Sequence, residues 1–551
     1  MEEKYRQWTV CAETELKAEL ASIANDTKEI EDRFYRALSF GTAGMRGVMG
    51  AGSNRMNVHT VRQATRGLAA WLKKKQAKGS VAIAFDTRNQ SARFALESAL
   101  TLATEGIKAY LFTLPSPVPL LSYTVRELGC AAGIAVTASH NTKEYNGYKV
   151  YDRFGCQMVS EAAAEVADLV RRSSLFDPIL SEKEARTAGL LIDLGEEMME
   201  QFCRATMRQG HSLSSEAIAD LKIVYTPIHG SGLRPVAFVL KERGFQVDIV
   251  AEQAVADGNF PTVKKPNPEE HEALAMGIRR AEETGADLVL GTDPDCDRVG
   301  IAVRDGETYH LFNGNQIGAL LAQYVLTRRE TELKDNAVIL KSIVTDDLGA
   351  EAARSFGVTV KETLTGFKYI GEAMTAYEKS GEGNFIMGYE ESYGFLVGGH
   401  ARDKDGVVAS LLISEMAAYY KEKGQTLRAV LHDLYKRFGF FLDDVDSVTC
   451  PGSDGQKRIN RIMAALRGTN MLFNGQKVSL VDYKNGVGDL PKADVLKFIF
   501  DDGSWIAVRP SGTEPKLKIY YSVKDTNEDR AKSRLTACRQ TITDFLNREV
   551  E

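Results

Sequence analysis

The feature that most restricts the fold of this 551-residue chain is a strand pattern that occurs three times along it. Each occurrence has two short apolar segments, and each of these runs directly into a polar loop. The six segments are VAIAFDTR (81–88), AAGIAVTASHN (131–141), LKIVYTPIHG (221–230), ADLVLGTDPDCD (286–297), AVILKSIVTD (337–346) and GNFIMGYEES (383–392). Helix-like stretches lie between them, so the pattern predicts an α/β fold with a largely parallel sheet.

The last ~110 residues have a different character from this repeated pattern. VLKFIF–DDGS–WIAVRP predicts a hairpin, KLKIYYSVK alternates apolar and polar side chains, and a polar helix is expected over 527–547. We therefore predict three related α/β domains with mixed sheets, followed by a C-terminal α+β domain. The expected boundaries are 1–205, 206–310, 311–435 and 436–551. The first 40 residues are expected to be helical and solvated.

Charge and cysteine content exclude several classes of protein. Lys and Arg number 69 and Asp and Glu 75, so the net charge of −6 argues against general nucleic-acid binding. An anionic substrate would need a local basic site. The seven scattered cysteines contain no CxxC pair, which argues against a disulfide framework or a zinc finger. The sequence shows neither a secretory signal nor an apolar stretch of ~18 residues, so a cytoplasmic protein without membrane contact is expected.

The first loop with side chains that could take part in a reaction is Thr-Ala-Ser-His-Asn (137–141), which follows a predicted strand. Ser139 at such a strand end can expose its hydroxyl, although Ser and Asn also favour helix N-caps. The G-x-S-x-G of a serine-hydrolase elbow is absent. Asn146-Gly147-Tyr148-Lys149 predicts a turn followed by a lysine that could return toward Ser139 or remain solvated.

The second loop carries Asp293, Asp295 and Asp297, spaced by two residues. On an extended backbone these side chains would point to one side, where three carboxylates repel one another unless a hard cation such as Mg²⁺ joins them. An EF-hand would need Gly and Glu where Arg298 and Arg304 stand, so this type of calcium site is rejected. An acidic solvated turn is the remaining alternative.

Three further loops carry candidate binding residues. Glu390-Glu391-Ser392 could bind sugar hydroxyls, and GGHARDKDG (398–406) is a flexible basic stretch that could surround an anion or lie on the surface. Arg509-Pro-Ser-Gly-Thr-Glu-Pro-Lys516 lies between two predicted strands. Its guanidinium, hydroxyls and backbone N–H groups could cradle a phosphate, or the loop could be a decorated hairpin.

Together these loops resemble the α-D-phosphohexomutase superfamily. The matching motifs are T-A-S-H-N with N-G-Y-K, then D-P-D-C-D-R, then E-E-S, then R-P-S-G-T-E-P, in the family's order over positions 42 to 516. The form of GTAGMRGVMGAGSNRMN and Y-E-E-S-Y-G is most similar to the phosphoglucomutase/phosphopentomutase branch. The resemblance implies four domains around a central cleft. Two departures are TAGMR, where many members have Ser, and Y-E-E-S-Y in place of G-E-E-S-F, which bears on the sugar.

The resemblance also implies a role for each motif residue. Ser139 would be the phosphoserine, with His140, Lys149 and Arg46 as its catalytic neighbours. Mg²⁺ would be held by Ser139, Asp293, Asp295 and Asp297. Substrate would be bound by Thr42, Arg46, Arg298, Thr365, Glu390, Ser392, Lys404, Arg509, Ser511, Gly512 and Thr513. The implied reaction interconverts glucose 1-phosphate and glucose 6-phosphate, with glucose 1,6-bisphosphate as intermediate and activator.

Several alternatives stay open from the sequence alone. The sugar could be ribose, deoxyribose or mannose phosphate, as in a phosphopentomutase or phosphomannomutase. The chain could also be a glucose 1,6-bisphosphate synthase, a Mg²⁺-dependent phosphatase or a non-catalytic sugar-phosphate sensor. The sequence ranks neither Lys149 nor His140 as the general base, and it does not reveal the oligomeric state, the physiological direction or the phosphorylation state of the isolated protein.

Overall fold

A computed structural model describes residues 1–41, 44–77, 79–450, 454–469, 473, 475–511 and 516–550. The chain forms two compact units. Unit 1 comprises Met1–Asn313, Phe367–Gly388 and Ser392–Gly424, and unit 2 comprises Gly314–Gly366, Tyr389–Glu391 and Gln425–Glu551. The predicted boundaries of four domains stay a prediction. No helix among these described residues is long and apolar enough to cross a membrane.

The helices and strands of the described residues alternate over most of the chain. The α-helices are α1 Glu2–Cys11, α2 Thr14–Ser22, α3 Thr27–Phe34, α4 Val58–Lys74, α5 Ser91–Thr104, α6 Val118–Glu127, α7 Ser160–Arg172, α8 Glu182–Thr187, α9 Glu196–Met207, α10 Ser215–Asp220, α11 Leu233–Glu242, α12 His271–Thr284, α13 Gly314–Arg329, α14 Leu348–Ser355, α15 Phe367–Ser380, α16 Gly406–Glu422, α17 Leu427–Phe438, α18 Gly455–Arg467 and α19 Glu528–Val550. The strands are β1 Met45–Val48, β2 Val81–Phe85, β3 Ala109–Phe112, β4 Ala132–Val136, β5 Tyr145–Asp152, β6 Leu191–Leu194, β7 Lys222–Thr226, β8 Gln246–Ile249, β9 Leu288–Thr292, β10 Val299–Asp305, β11 Thr308–Phe312, β12 Ala337–Ser342, β13 Thr359–Thr363, β14 Asn384–Glu390, β15 Gly394–Val397, β16 Phe440–Thr449, β17 Ser479–Asp482, β18 Leu496–Ile499, β19 Trp505–Pro510 and β20 Lys516–Asp525.

Unit 1 contains two mixed sheets. The first has the order β1-β5-β4-β2-β3-β6 and the second β11-β10-β9-β7-β8. In the first sheet β2 and β4 pair in parallel, with Phe85 opposite Val136, while β5 runs antiparallel to β4. In the second, β7 and β9 are parallel and β10 is antiparallel to β9. Parallel neighbours end at the same sheet edge, so the loops after β2 and β4 lie side by side.

Burial explains why the six predicted apolar segments form strands. Every residue of β2, β4, β9 and β12 is buried. Strands covered on both faces need continuous apolar runs, whereas amphipathic helices need only one apolar face. The six predicted strands are therefore confirmed, as β2, β4, β7, β9, β12 and β14.

The N-terminal segment is helical, as predicted, but it is not simply solvated. Trp8, Leu20 and Phe34 from α1–α3 are at most 1% exposed and form a small core with Ala12 and Ala51. Their burial was missed because three separate helices each contribute one large side chain, so no single helix shows a wide apolar stripe.

The Asn146-Gly147 turn predicted before Lys149 is wrong, because both residues lie within β5. A Cβ atom on Gly147 would lie 2.4 Å from the carbonyl oxygen of Thr137. Gly147 is therefore needed for a close approach of two backbones and not for a turn. The Asn146 side chain, in turn, donates to the carbonyl of Asn89 and to Ser91 Oγ, both at 3.0 Å.

Unit 2 contains the parallel pair β12–β13 and an antiparallel sheet of order β16-β20-β19-β18-β17. The predicted hairpin is confirmed, because β18 and β19 pair antiparallel, and β20 and the terminal helix α19 follow as expected. A buried ionic cluster lies within this unit. Lys341 Nζ is 3.1 Å from carboxylates of both Asp347 and Glu362, and Lys497 Nζ donates to the Ile343 carbonyl at 2.8 Å.

Asp443→Asn in β16 is expected to stabilise unit 2 at neutral pH more than at acidic pH. Asp443 neighbours the buried Asp346, and burial raises the pKa of both carboxyls, that of Asp443 to about 6. Because an unfolded Asp titrates near ~4, the folded protein binds more protons between ~4 and 6, so stability falls as the pH rises through that window. An Asn amide donates a hydrogen bond without this penalty.

Thermal unfolding would measure the effect. Relative to the parent chain, the midpoint of Asp443→Asn should rise by roughly 2–4 °C near pH 7.5, with little change near pH 5. Asp489→Asn, at an exposed position in the same unit, is the matched control. Equal shifts for Asp443→Asn at both pH values would contradict the raised pKa of Asp443 as the cause of the effect.

Candidate functional site

Ser139 lies in the turn after β4, in a conformation that is uncommon for a residue with a side chain. Its φ is 53°, and the residue is only 4% exposed. Among the described residues the next helix, α7, begins at Ser160, so Ser139 is not a helix N-cap. Backbone strain of this kind persists only where the surroundings enforce it, and it is concentrated at functional sites.

The hydroxyl of Ser139 is directed at the second predicted loop. Its Oγ donates to Asp293 Oδ2 at 3.0 Å, although the two residues are 154 positions apart. The Nδ1 atom of His140 lies 3.2 Å from the same Oγ. The serine loop and the aspartate loop, which were singled out independently in the sequence, therefore meet in unit 1.

The three aspartates converge, but not on an extended backbone as predicted. Residues 293–298 form a turn in which Cys296 has a φ of 50°. The N–H groups of Asp297 and Arg298 both donate to Asp293 Oδ1, at 3.1 and 3.0 Å. One ligand oxygen from each aspartate lies within 4.8 Å of the others. The turn therefore brings the three carboxylates together, as the alternating side chains of an extended backbone were expected to do.

The donor set of this cluster fits a hard divalent cation. Asp293, Asp295 and Asp297 are at most 2% exposed, and Asp295 Oδ1 and Asp297 Oδ1 are buried without a hydrogen-bond partner. Burial, together with Asp295 and Asp297, raises the pKa of Asp293 well above its usual range. Buried carboxylate oxygens that lack donors are the ligands that Mg²⁺ prefers. The solvated-turn alternative is wrong, because the aspartates are buried.

Two lysines lie against the aspartates. Lys149 Nζ is 2.9 Å from Asp295 Oδ2 and 3.8 Å from Asp297 Oδ2, and Lys404 Nζ is 3.1 Å from Asp297 Oδ2. Burial alone would lower the pKa of Lys149, but Asp295 and Asp297 raise it above the ordinary value. Lys149 therefore stays cationic and lowers the pKa of Asp295 despite the burial of that carboxyl.

Two arginines complete the positive side of the site. Arg298 Nε is 3.9 Å from Asp297 Oδ1, and its guanidinium also pairs with Glu269. Arg46 Nη1 donates to Asn141 Oδ1 at 2.9 Å. Burial lowers the pKa of His140, and the charges of Arg298 and Arg46 lower it further, so the imidazole is neutral at pH 7.

Only Lys404 of the basic stretch 398–406 reaches the aspartates by a described contact. His400 Nε2 lies 2.7 Å from Asp405 Oδ2, and Arg402 pairs with Glu378 through Nη2, at 2.5 Å. Asp405 also caps α16 by accepting from Val407 N at 2.8 Å. His400 and Arg402 thus shape the loop that carries Lys404.

Several of the other predicted residues lie in unit 2. Glu390 Oε1 accepts from Gly366 N at 2.7 Å, next to Thr365, whose Oγ1 is buried without a hydrogen-bond partner. Arg509 lies over the Tyr520 ring at 6.0 Å, and its Nε is likewise buried and unpartnered. Ser511 N donates to Lys516 O at 2.7 Å, which closes the loop between β19 and β20.

The remaining predictions divide into two groups. Ser392 belongs to unit 1. Thr42, Gly512 and Thr513 lie outside the described residues. The roles assigned to all of these residues stay predictions.

Sequence reasoning missed Asp86 and Arg88, which follow β2. Both are buried, and Arg88 donates to the carbonyl oxygens of Ser139 and Asn141. In the sequence, both residues stand at the charged end of the segment VAIAFDTR (81–88). The sequence analysis identifies that end only as a polar loop. Its importance depends on the parallel pairing of β2 with β4, which places Asp86 beside Thr137.

Comparisons with known proteins agree with this geometry. Residues 37–176, 200–306 and 313–438 match the α/β/α domains I, II and III of phosphoglucomutase/phosphomannomutase, and residues 448–532 match its C-terminal domain. These matches confirm the predicted fold class of three α/β domains with mixed sheets and a different C-terminal domain.

Two curated relatives and one solved structure illustrate the similarity. The chain is 38% identical over 522 residues to a phosphoglucomutase of Staphylococcus haemolyticus and 39% identical over 515 residues to one of Staphylococcus epidermidis, in each case covering 90% of this chain and 92% of the relative. The open form of pp63/parafusin, a phosphoglucomutase from Paramecium, has a TM-score of 0.70 at 18% identity and covers 94% of this chain and 95% of that one. At that identity the structure supports the fold alone.

Proposed function

Because the chain belongs to the phosphoglucomutase/phosphomannomutase family, the α-D-phosphohexomutases, we propose that it is a phosphoglucomutase acting through a phosphorylated Ser139. The reaction interconverts glucose 1-phosphate and glucose 6-phosphate, with glucose 1,6-bisphosphate as intermediate and activator. The observation that carries the proposal is the 3.0 Å contact between Ser139 Oγ and Asp293 Oδ2. It supports a nucleophilic role for Ser139, because the hydroxyl lies beside a cluster of carboxylates that fits a divalent cation.

Asp293, Asp295 and Asp297 would hold Mg²⁺, together with Ser139 or its phosphate. Bound there, the cation supplies charge neutralisation for a transferring phosphoryl group. The unpartnered buried oxygens of Asp295 and Asp297 support this assignment.

In the forward direction the phosphorus–oxygen bond of phosphoserine breaks and a new bond forms to the free hydroxyl oxygen of the sugar phosphate. That hydroxyl loses its proton to a base, and the departing Ser139 Oγ takes up a proton. After the bisphosphate reorients, Ser139 Oγ loses its proton and attacks the other phosphate, and the departing sugar oxygen gains a proton. Lys149 and Lys404, both cationic beside the carboxylates, would balance the phosphoryl charge.

His140 and Lys149 remain the two candidates for the general base. His140 has its Nδ1 atom 3.2 Å from Ser139 Oγ, whereas Lys149 is bound to Asp295 and Asp297. The proton must be accepted and later returned by a group within hydrogen-bond reach of the sugar oxygen.

The other family positions are proposed to bind the substrate. Glu390 and Ser392 would bind sugar hydroxyls, and Arg46, Arg298, Thr42 and Thr365 would contribute further contacts. The phosphate that is not reacting would be held by Arg509, Ser511, Gly512 and Thr513. A guanidinium with hydroxyls and backbone N–H groups is suited to phosphate, and the buried Arg509 Nε without a partner supports that role.

A panel of sugar phosphates tests the function. With Mg²⁺ and a trace of glucose 1,6-bisphosphate, kcat/KM for glucose 1-phosphate should exceed that for ribose 1-phosphate and mannose 1-phosphate by at least ~10-fold, because a site built for one set of hydroxyls leaves its polar groups unpaired with another. A preference for ribose or mannose phosphate would instead assign the phosphopentomutase or phosphomannomutase reaction. Release of free phosphate would indicate a phosphatase, and net bisphosphate formation from a separate phosphoryl donor would indicate a synthase.

A further inference from the structure

Arg88 is packed against the serine loop, defined here as residues 137–145, and its guanidinium converges with the backbone of that loop. The residue is 3% exposed. Its four acceptors are the carbonyl oxygens of Ser139, Asn141, Thr142 at 2.9 Å and Tyr145 at 3.2 Å. The serine loop is therefore organised around one buried cation.

Asp86 links the same arginine to the nucleophile by a second route. Its Oδ1 accepts from Arg88 N at 3.0 Å and from Ser91 Oγ at 2.7 Å, and its Oδ2 accepts from Thr137 Oγ1 at 2.6 Å. Thr137 Oγ1 in turn accepts from the backbone N–H of Ser139 at 2.8 Å. Hydrogen bonds therefore connect the buried carboxylate of Asp86, through the Thr137 hydroxyl, to the N–H of Ser139. Arg88 holds the carbonyl of Ser139 at the same time.

An arginine is the side chain that suits this task. Its planar guanidinium presents five N–H donors in a fixed fork, whereas a lysine has three donors on a flexible stem. Phe260, whose ring lies 5.0 Å from the guanidinium carbon, limits the movement of that fork. With both its N–H and its carbonyl held, Ser139 retains a φ of 53°, which a residue with a Cβ adopts only when its surroundings enforce it.

From these contacts we infer that Asp86, Arg88 and Thr137 are positioning residues that hold Ser139 in its left-handed conformation, with its Oγ beside Asp293. They act through the backbone of the serine loop and touch no reacting atom. The inference rests on the proposed function for its kinetic consequence. Its structural consequence, the ordering of the serine loop, does not depend on which sugar phosphate is used.

The sharpest test replaces Thr137, because the substitution can remove a single hydroxyl. Thr137→Val keeps the shape of the side chain and loses the acceptor, whereas Thr137→Ser keeps the acceptor. We expect Thr137→Val to lower kcat by about 10²-fold with KM for glucose 1-phosphate little changed, since a small misplacement of the nucleophile has this effect. Thr137→Ser should recover most of kcat. Thr101→Val, which removes a buried helical hydroxyl elsewhere in unit 1, is the matched control.

Amide hydrogen exchange supplies a readout that needs no turnover. Exchange of the Ser139 amide and its neighbours should be faster in Thr137→Val than in Thr137→Ser or Thr101→Val, by more than the difference in thermal midpoint between the variants explains. If the parent protein turned over no sugar phosphate, the proposed function would fail while this comparison would still decide the positioning role.

Arg88→Lys provides an independent variant, with Arg62→Lys as its control. Arg62 is also largely buried and ion-paired, with Glu13 and Glu97, but it contacts no residue of the serine loop in the described contacts. We expect Arg88→Lys to lower kcat by about 10²-fold beyond any loss of folded protein, with faster exchange in the serine loop. Parental kcat and parental exchange in Thr137→Val would overturn the inference, as would an activity loss in Arg88→Lys that matches its unfolded fraction.

Discussion

Ser139→Ala is expected to lose turnover of glucose 1-phosphate by on the order of 10⁴–10⁶-fold, because the variant has no oxygen to carry the phosphoryl group. Binding of the sugar phosphate should persist, since Ser139 is proposed to react with the substrate and not to anchor it. Alanine retains a Cβ, so the backbone strain at φ 53° is the same as for serine. A loss of activity would thus report the missing hydroxyl and not a relaxed backbone.

Three measurements make this prediction decisive. Steady-state kinetics gives the loss, calorimetry with glucose 6-phosphate gives the retained affinity, and intact-mass analysis follows phosphorylation. The parent protein should gain one phosphoryl group from glucose 1,6-bisphosphate, and Ser139→Ala should gain none. Ser98→Ala, which removes a buried hydroxyl bonded only to a helical carbonyl in the described contacts, should behave like the parent. Parental turnover in Ser139→Ala would refute the phosphoserine assignment, and a parent protein that never accepts phosphate would favour a sugar-phosphate sensor.

The sequence predicts the strands of this protein well, because a strand that is buried on both faces consists mostly of apolar residues. β2 and β4 are apolar throughout, β9 and β12 are apolar up to Thr292 and Lys341, and charged or hydroxyl side chains begin at the end of each strand. The loops that carry Ser139 and the aspartates follow from that same rule. The meeting of these two loops does not follow from strand pairing, because β4 and β9 belong to different sheets; only the resemblance to the family predicted it.

What the sequence did not predict depends on backbone contacts. Arg88 donates to four backbone carbonyl oxygens of the serine loop. Every residue has such an oxygen, so the residue types of the loop do not predict these contacts. Gly147 looked like a turn residue because the same lack of a side chain suits both a turn and a close backbone approach. The turn at 293–298 was missed because Cys296, a residue with no special tendency to positive φ, adopts it.

Asp293→Asn is expected to abolish the response of the protein to Mg²⁺ with little effect on the cation-free fold. Burial, Asp295 and Asp297 raise the pKa of Asp293 well above its usual range, so the cation-free site favours the neutral form of this carboxyl. An Asn is neutral, and its Oδ1 can accept from the N–H groups of Asp297 and Arg298 as the carboxyl does. The thermal midpoint without Mg²⁺ should therefore stay close to that of the parent.

Binding of Mg²⁺ requires the ionised carboxylate, so the cation competes with protons for Asp293. In the parent, the affinity for Mg²⁺ should increase as the pH rises through the raised pKa of Asp293, and calorimetry in buffers of different ionisation enthalpy should show proton release over the same pH range. Asp293→Asn should bind Mg²⁺ far more weakly and without that proton release. Saturating Mg²⁺ should raise the thermal midpoint of the parent, by the equivalent of about 3 kcal/mol at 100-fold excess over Kd, and leave the variant unchanged.

Turnover should follow the same pattern as cation binding. Chelation of Mg²⁺ should stop the parent enzyme reversibly, and Asp293→Asn should lose at least ~10²-fold in kcat even with excess Mg²⁺, because the phosphoryl charge is then balanced only by lysine and arginine side chains. Asp168→Asn, which removes a partly exposed carboxylate from α7 in the same unit, is the control for a general change of charge. Unaltered Mg²⁺ affinity and proton release in Asp293→Asn would place the cation elsewhere. Ser139 would then lose its proposed partner, since Asp293 is the residue that joins the nucleophile to the carboxylate cluster.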